Sequence, residues 1–372
     1  MQHRIMTLCA GTLVLFTAAA PVEAAQTRPR FEVVGLVSDV KGRAAVHDPR
    51  VVNPWGLALG KTLWVANTGT GSATVYSGVP GAIRKEATEV AVPGGAPTGQ
   101  VLNPGDGFTV KGKPATFLFA SPSGAITGWN AEADPAGAVI GAFTRGADYK
   151  GLAMVGDSLL LAADFAGGRV HAFDADFRRL RLGRWQFRDP FVPRGYAPFN
   201  VSAVAGAVWV SYALRDSATG KAVATRGKGF VSRFSPDGRL TGRLSRGALN
   251  APWAVTVAPR GFGAYAGALL VGNFGDGTVQ VFKRGRHLGP LRDSAGRPIV
   301  LPGLWDLEPG TAATGGENAL WFSAGIDGAR HGLVGLIRPA GARAPATGQP
   351  ATPTSPAAPA APVTSPPVSG GY

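Results

Sequence analysis

A block of apolar residues returns about six times along this chain, at intervals of roughly 40 to 55 residues. Its clearest copy runs Trp55-Gly-Leu-Ala-Leu59, Leu63-Trp-Val-Ala-Asn67, a turn at Gly69-Thr-Gly71, then Ala73-Thr-Val-Tyr76. It returns as Gly151-Leu-Ala-Met-Val155, Leu159-Leu-Leu-Ala-Ala-Asp164, Gly167-Gly168 and Val170-His-Ala-Phe173. A third copy is Trp253-Ala-Val-Thr-Val257, Ala268-Leu-Leu-Val-Gly-Asn273, Gly275-Asp-Gly277 and Val279-Gln-Val-Phe282. Weaker copies begin at Phe108-Thr-Val110, Val201-Ser-Ala-Val204 and Leu304-Trp-Asp-Leu307. The apolar runs are short and bounded by turn residues, and no stretch keeps a helical period. With 54 Gly and 30 Pro the chain is rich in turn formers, as many short strands require.

Units of this length match the four-stranded blades of a propeller. The predicted fold is all-β, a six-bladed β-propeller over residues 31–339. The first strand of each unit should line the central channel, and the second, a continuous apolar run, should lie between neighbouring blades. The last unit runs out after its third strand, at Ile337, while an orphan strand, Phe31-Glu-Val-Val-Gly-Leu-Val37, precedes the first unit. Pairing the orphan into the last blade would close the ring and hide an edge. A monomer is expected.

The two ends read differently. His3 and Arg4 precede an apolar run from Ile5 to Ala20, and small residues lead to a cut near Ala24/Ala25. Residues 1–24 are therefore read as a signal peptide, because the run is too short for a comfortable membrane span. The expected location is periplasmic or secreted, with no transmembrane segment once the signal is removed. The single cysteine, Cys9, lies in that run, so disulfides, thiolate nucleophiles and Cys-ligated zinc are excluded from the mature protein. Residues 340–372 are mostly Pro, Ala, Thr, Ser and Gly. Such a composition cannot bury enough surface to offset its ordering entropy, which predicts a disordered tail.

The net charge is +14. For an exported protein the natural partners of such charge are anionic: an envelope polysaccharide, phospholipid head groups or an acidic protein; solvated surface charge is the simpler and preferred reading. Nucleic acid is not, since aromatics do not interleave with the basic clusters.

The blocks Asn53-Pro-Trp-Gly-Leu-Ala58, Leu63-Trp-Val-Ala-Asn-Thr-Gly69, Asn250-Ala-Pro-Trp-Ala-Val255, Val271-Gly-Asn-Phe-Gly-Asp-Gly277 and Leu301-Pro-Gly-Leu-Trp-Asp-Leu307 resemble an uncharacterised family of secreted bacterial propellers with NHL-like repeats. That family is associated with genomes carrying the PEP-CTERM/exosortase sorting system. The resemblance spans roughly Phe31 to Pro339 and implies the fold. It implies no activity, and the tail lacks the Val-Pro-Glu-Pro motif of sorted members.

Candidate site residues gather where the first strands begin. Asn53 with Trp55, Asn250 with Trp253, and Asp306 after Trp305 would lie at one channel mouth, a place suited to a ligand. Asn67, Asp164 and Asn273 end second strands before Gly-rich turns. Such oxygens could hold calcium, or they could form Asx-turns that shape the connection. The candidate metal ligands are Asn53, Asn250, Asp306 and Asp164, and calcium is the candidate cofactor; the basic and acidic residues that a quinone-dependent sugar oxidoreductase needs around its cofactor are not located in the sequence. No nucleophile elbow, phosphate loop or paired-histidine zinc spacing is present. Two functions follow: a binding or structural module for an envelope glycan or protein partner, or a calcium-dependent hydrolase or lactonase at the channel mouth. Oxygen donors clustered at the mouth would favour the enzyme, whereas an apolar or basic mouth would favour the binder.

Overall fold

The computed structural model describes residues 28–244 and 247–341. The predicted signal peptide, residues 1–24, and nearly all of the predicted tail, 340–372, lie outside the described residues. Six blades of four antiparallel strands follow one another around a ring, the last extended by a short fifth strand. Blade 1 comprises Pro54–Leu59, Leu63–Asn67, Ser72–Ser77 and Arg84–Ala91 from the axis outward. Blade 3 begins at Tyr149–Val155, blade 4 at Tyr196–Val204 and blade 5 at Pro252–Val257. Each second strand is buried along most of its length, as in Leu63–Asn67 and Leu159–Asp164, because it is covered by blades on both faces. This is why its sequence lacks the two-residue alternation of a half-exposed strand.

Blade 6 contains Leu304–Pro309, Leu320–Ala324 and Leu333–Pro339, and its outer strand is the orphan, Phe31–Ser38. The orphan pairs antiparallel with Leu333–Pro339, from Phe31 opposite Pro339 to Ser38 opposite Leu333. Val46–His47 adds a short parallel strand outside it. Phe31, fully buried, packs 4.7 Å from Phe262 and 6.2 Å from Tyr265, fastening the closing strand to the flank of blade 5.

Blade 2 departs from the sequence expectation. Its inner strand is Gln100–Leu102, and Thr109–Val110 instead forms a small ribbon with Lys113–Pro114. Phe108 turns the chain with φ +54° and buries its ring against Phe177. The true inner strand is three residues long and begins Gly99-Gln100, so it carries no apolar run to be read.

Candidate functional site

The inner strands enclose a channel cavity of about 240 Å³. They approach closely where they begin: a Cβ on Gly56 would overlap the backbone at Thr98, and one on Gly151 would overlap the Asn200 amide. Pairing with the second strand is broken there by bulges, between Pro198 and Asn200 in blade 4 and between Leu304 and Leu307 in blade 6. The side chain at the bulge then does the work of the missing ladder bond. Asn200 Oδ1 accepts from Val201 N at 2.8 Å while its amide donates to Trp253 O of blade 5 at 3.0 Å. Asp306 is its counterpart in blade 6. Its Oδ1 accepts from Leu307 N and its Oδ2 from Leu57 N of blade 1, both at 2.8 Å.

Above this layer the mouth is stoppered by aromatic rings. Trp55 stacks on Trp305 at 3.5 Å, Phe274 stacks on the same indole at 4.2 Å, and Trp253 meets it edge-on at 6.2 Å. The three tryptophans are each at least 93% buried. The Lys150 ammonium caps the stack, 5.4 Å from the Trp55 ring centre and 2.8 Å from Asp148. In both strand-opening segments the residue before the Pro-Trp pair lies in the left-handed region, Asn53 at φ +46° and Ala251 at φ +42°, which turns the chain so that the indole enters the axis.

The predicted metal ligands occupy four separate settings, and no two share a hydrogen-bond partner. Asn53 Oδ1 accepts from Trp305 Nε1 at 3.0 Å. Asn250 donates to Asp276 at 3.3 Å, with its Oδ1 buried against Gly275. Asp164 Oδ1 caps two backbone amides, Asp148 N and Gly167 N. Asp306 is spent on Leu57 and Leu307. The strand-ending residues Asn67 and Asn273 likewise serve the fold: Asn67 donates to Thr74, and Asn273 links Asn250 N to Ala248 O. Among the described residues no three His, Cys, Asp or Glu side chains gather as a metal group. The oxygens of Asn53, Asp306 and Asp164 Oδ1 already accept from indole or backbone N–H groups, and the one unpartnered oxygen, Asn250 Oδ1, does not by itself make a calcium site.

Two features escaped the sequence reading. Glu308 follows Asp306 by two residues, so both carboxyls face the channel. Burial raises Asp306 to about 7, and burial together with the Asp306 charge raises Glu308 to about 8. The pair therefore retains a proton at neutral pH. The two-residue spacing was visible in the sequence, but only the narrow channel makes it matter. The second is a chain from Tyr149, whose hydroxyl meets His171 Nδ1 at 2.8 Å, to Asp164, 3.7 Å from His171 Nε2. Burial lowers the His171 pKa and raises that of Tyr149 to about 12. Tyr149 is fully buried, so this chain joins strands within blade 3 and offers no nucleophile to solvent.

No family model matches the chain. An uncharacterised protein of Acanthamoeba polyphaga mimivirus is 35% identical over 320 residues, which cover 81% of this chain and 78% of the viral one. The chain belongs to the family of that viral protein. Members of this family thus include viral proteins, whereas the sequence blocks pointed to secreted bacterial ones; what the structure bears out of that reading is the six-bladed propeller fold. Among solved structures, the hydrazine synthase of Kuenenia stuttgartiensis aligns with a TM-score of 0.50 at 15% identity, over 77% of this chain and 84% of its own. Virginiamycin B lyase from Staphylococcus aureus aligns with a TM-score of 0.49 at 10% identity, over 83% of this chain and 99% of its own. At these identities the likeness is one of fold.

Proposed function

We propose that this propeller is an extracytoplasmic binding module that holds an envelope glycan or a protein partner. One observation carries the reading. At the mouth, Asn53 and both Asp306 oxygens are committed to hydrogen bonds of the fold and, among the described residues, Asn250 Oδ1 alone is left without a donor, beneath a tryptophan stopper capped by Lys150. An apolar mouth of this kind, its one lysine paired with Asp148, suits recognition better than Lewis-acid chemistry, which needs converging free oxygens. Export through cleavage after Ala24, and kinship with the secreted bacterial propellers, belong to the same proposal.

The calcium-dependent hydrolase reading draws on Asp306 and Glu308, the only acid pair in the channel cavity. It is the weaker one, because both Asp306 oxygens already hold backbone amides. Metal content and retention on immobilised polysaccharides, measured on the processed protein after dialysis, separate the two. A metal-free protein retained by a glycan supports the binding module. One tightly held calcium per chain together with lactone hydrolysis overturns it.

A further inference from the structure

The positive charge is not spread around the ring. Residues 145–300, which build blades 3 to 5, hold 23 Lys and Arg against 10 Asp and no Glu, a net of +13. The rest of the chain holds 14 against 13. Within the charged half, on the face where the inner strands begin, a cavity of about 520 Å³ opens between blades 3 and 4. That volume is in the range of small-ligand pockets. Its rim is the Gly167-Gly168 turn and the long connection from blade 3 to blade 4, residues 181–195.

Four guanidiniums line it: Arg169, Arg184, Arg188 and Arg194. Among the described residues none of the four has a carboxylate within 4.0 Å. The one acid of the lining, Asp189, is already neutralised. Arg243 reaches it with two bonds of 2.5 and 2.8 Å and Ser232 with one of 2.7 Å. Tyr212 also lines the cavity, and its buried hydroxyl has no acceptor. Beside the rim, Trp185 is 52% exposed, with Arg184 4.7 Å and Arg188 5.8 Å from its ring. Four uncompensated like charges around one concavity repel one another, so the fold carries a cost that an anion would relieve. Guanidinium forks match planar carboxylates and sulfates, and an exposed indole face beside them offers a flat platform for a sugar ring. Single-stranded nucleic acid would call for a groove with successive stacking platforms; this rim exposes two aromatics, Trp185 and Phe191, so single-stranded DNA is the competing ligand in the test.

We infer that the cavity between blades 3 and 4 is a subsite for an acidic sugar, one carboxylate- or sulfate-bearing ring of an anionic polysaccharide. The inference rests on the reading of the propeller as a binding module. Calorimetric titration of the full processed chain, at physiological salt, uses four probes: a galacturonate oligosaccharide, its neutral methyl ester, a heparin oligosaccharide, and single-stranded DNA of matched charge. The galacturonate or the heparin probe should bind one per chain, and which of them binds assigns the anion as carboxylate or sulfate. Affinity should fall at least tenfold when Arg184→Ala and Arg188→Ala are combined, and also with Trp185→Ala. Replacing Arg233→Ala with Arg284→Ala, in the basic cavity between blades 4 and 5, should leave it unchanged. Equal losses in both double variants, or tighter binding of DNA than of either sugar, overturns the subsite. Equal binding of the neutral ester overturns the acidic-sugar assignment while leaving the binding module standing. Absence of binding to every probe overturns the subsite, and the failure reaches the binding module only if immobilised neutral glycans and proteins also fail to retain the chain.

Discussion

Asp306 and Glu308 line one channel cavity, where burial disfavours their charged forms, and this has a consequence for pH. The folded state binds their protons more tightly than the unfolded chain does, since both pKa values are raised, to about 7 and about 8. The stability gained from the protonated pair is complete below the ordinary carboxylate range. It is lost as pH rises through the raised values. Melting temperature should therefore fall between about pH 4 and pH 8, and Glu308→Gln should flatten that slope, as calorimetry at several pH values would register. Two other positions are tightly constrained. Trp305 touches Trp55, Trp253 and Phe274 at once, so Trp305→Ala should cost about 3–5 kcal/mol in denaturant unfolding. Gly151 faces the Asn200 amide without room for a methyl group. Gly151→Ala should accordingly destabilise the fold by breaking the Asn200 link to Trp253, a loss that Asn200→Ser should partly restore in the double variant.

At the scale of the strand, legibility followed burial. Second strands buried on both faces read as unbroken apolar runs, so the blades could be counted, and the orphan at Phe31 could be matched to the last blade. Gln100–Leu102 could not be found, because a three-residue strand held by neighbours on either side needs no apolar signature of its own. The tryptophans of the mouth were legible through the repeated Pro-Trp segments. Lys150, Glu308 and the arginine-lined cavity were not, because each acquires its role from a neighbour in another strand or blade. The closing strand is fastened by Phe31 and by the 2.6 Å pair between Arg338 and Glu32. Phe31→Ala should cost about 3–5 kcal/mol. Loss of the exposed pair through Glu32→Gln should cost about 1 kcal/mol or less. Denaturant melts of the two variants would rank them.

For the whole molecule, a ring with almost all of its net charge in three consecutive blades presents one attractive flank to any anion approaching by diffusion. Association with an anionic polysaccharide should slow as ionic strength passes about 0.15 M, where the screening length is about 8 Å. Stopped-flow rates at several salt concentrations would reveal this slope. The manner of closure also sets an order of events. Phe31–Ser38 can find its partner only after the other blades have been laid down, since some 300 residues separate it from Leu333–Pro339. Until then the growing ring carries two open β edges, and the first segment to emerge is the last to be placed. Contacts this distant in sequence make for slow folding. The seam between first and last strands is therefore the step most exposed to mispairing with another chain, and a chaperone that shields Phe31–Ser38 would accelerate maturation more than one acting on any other strand.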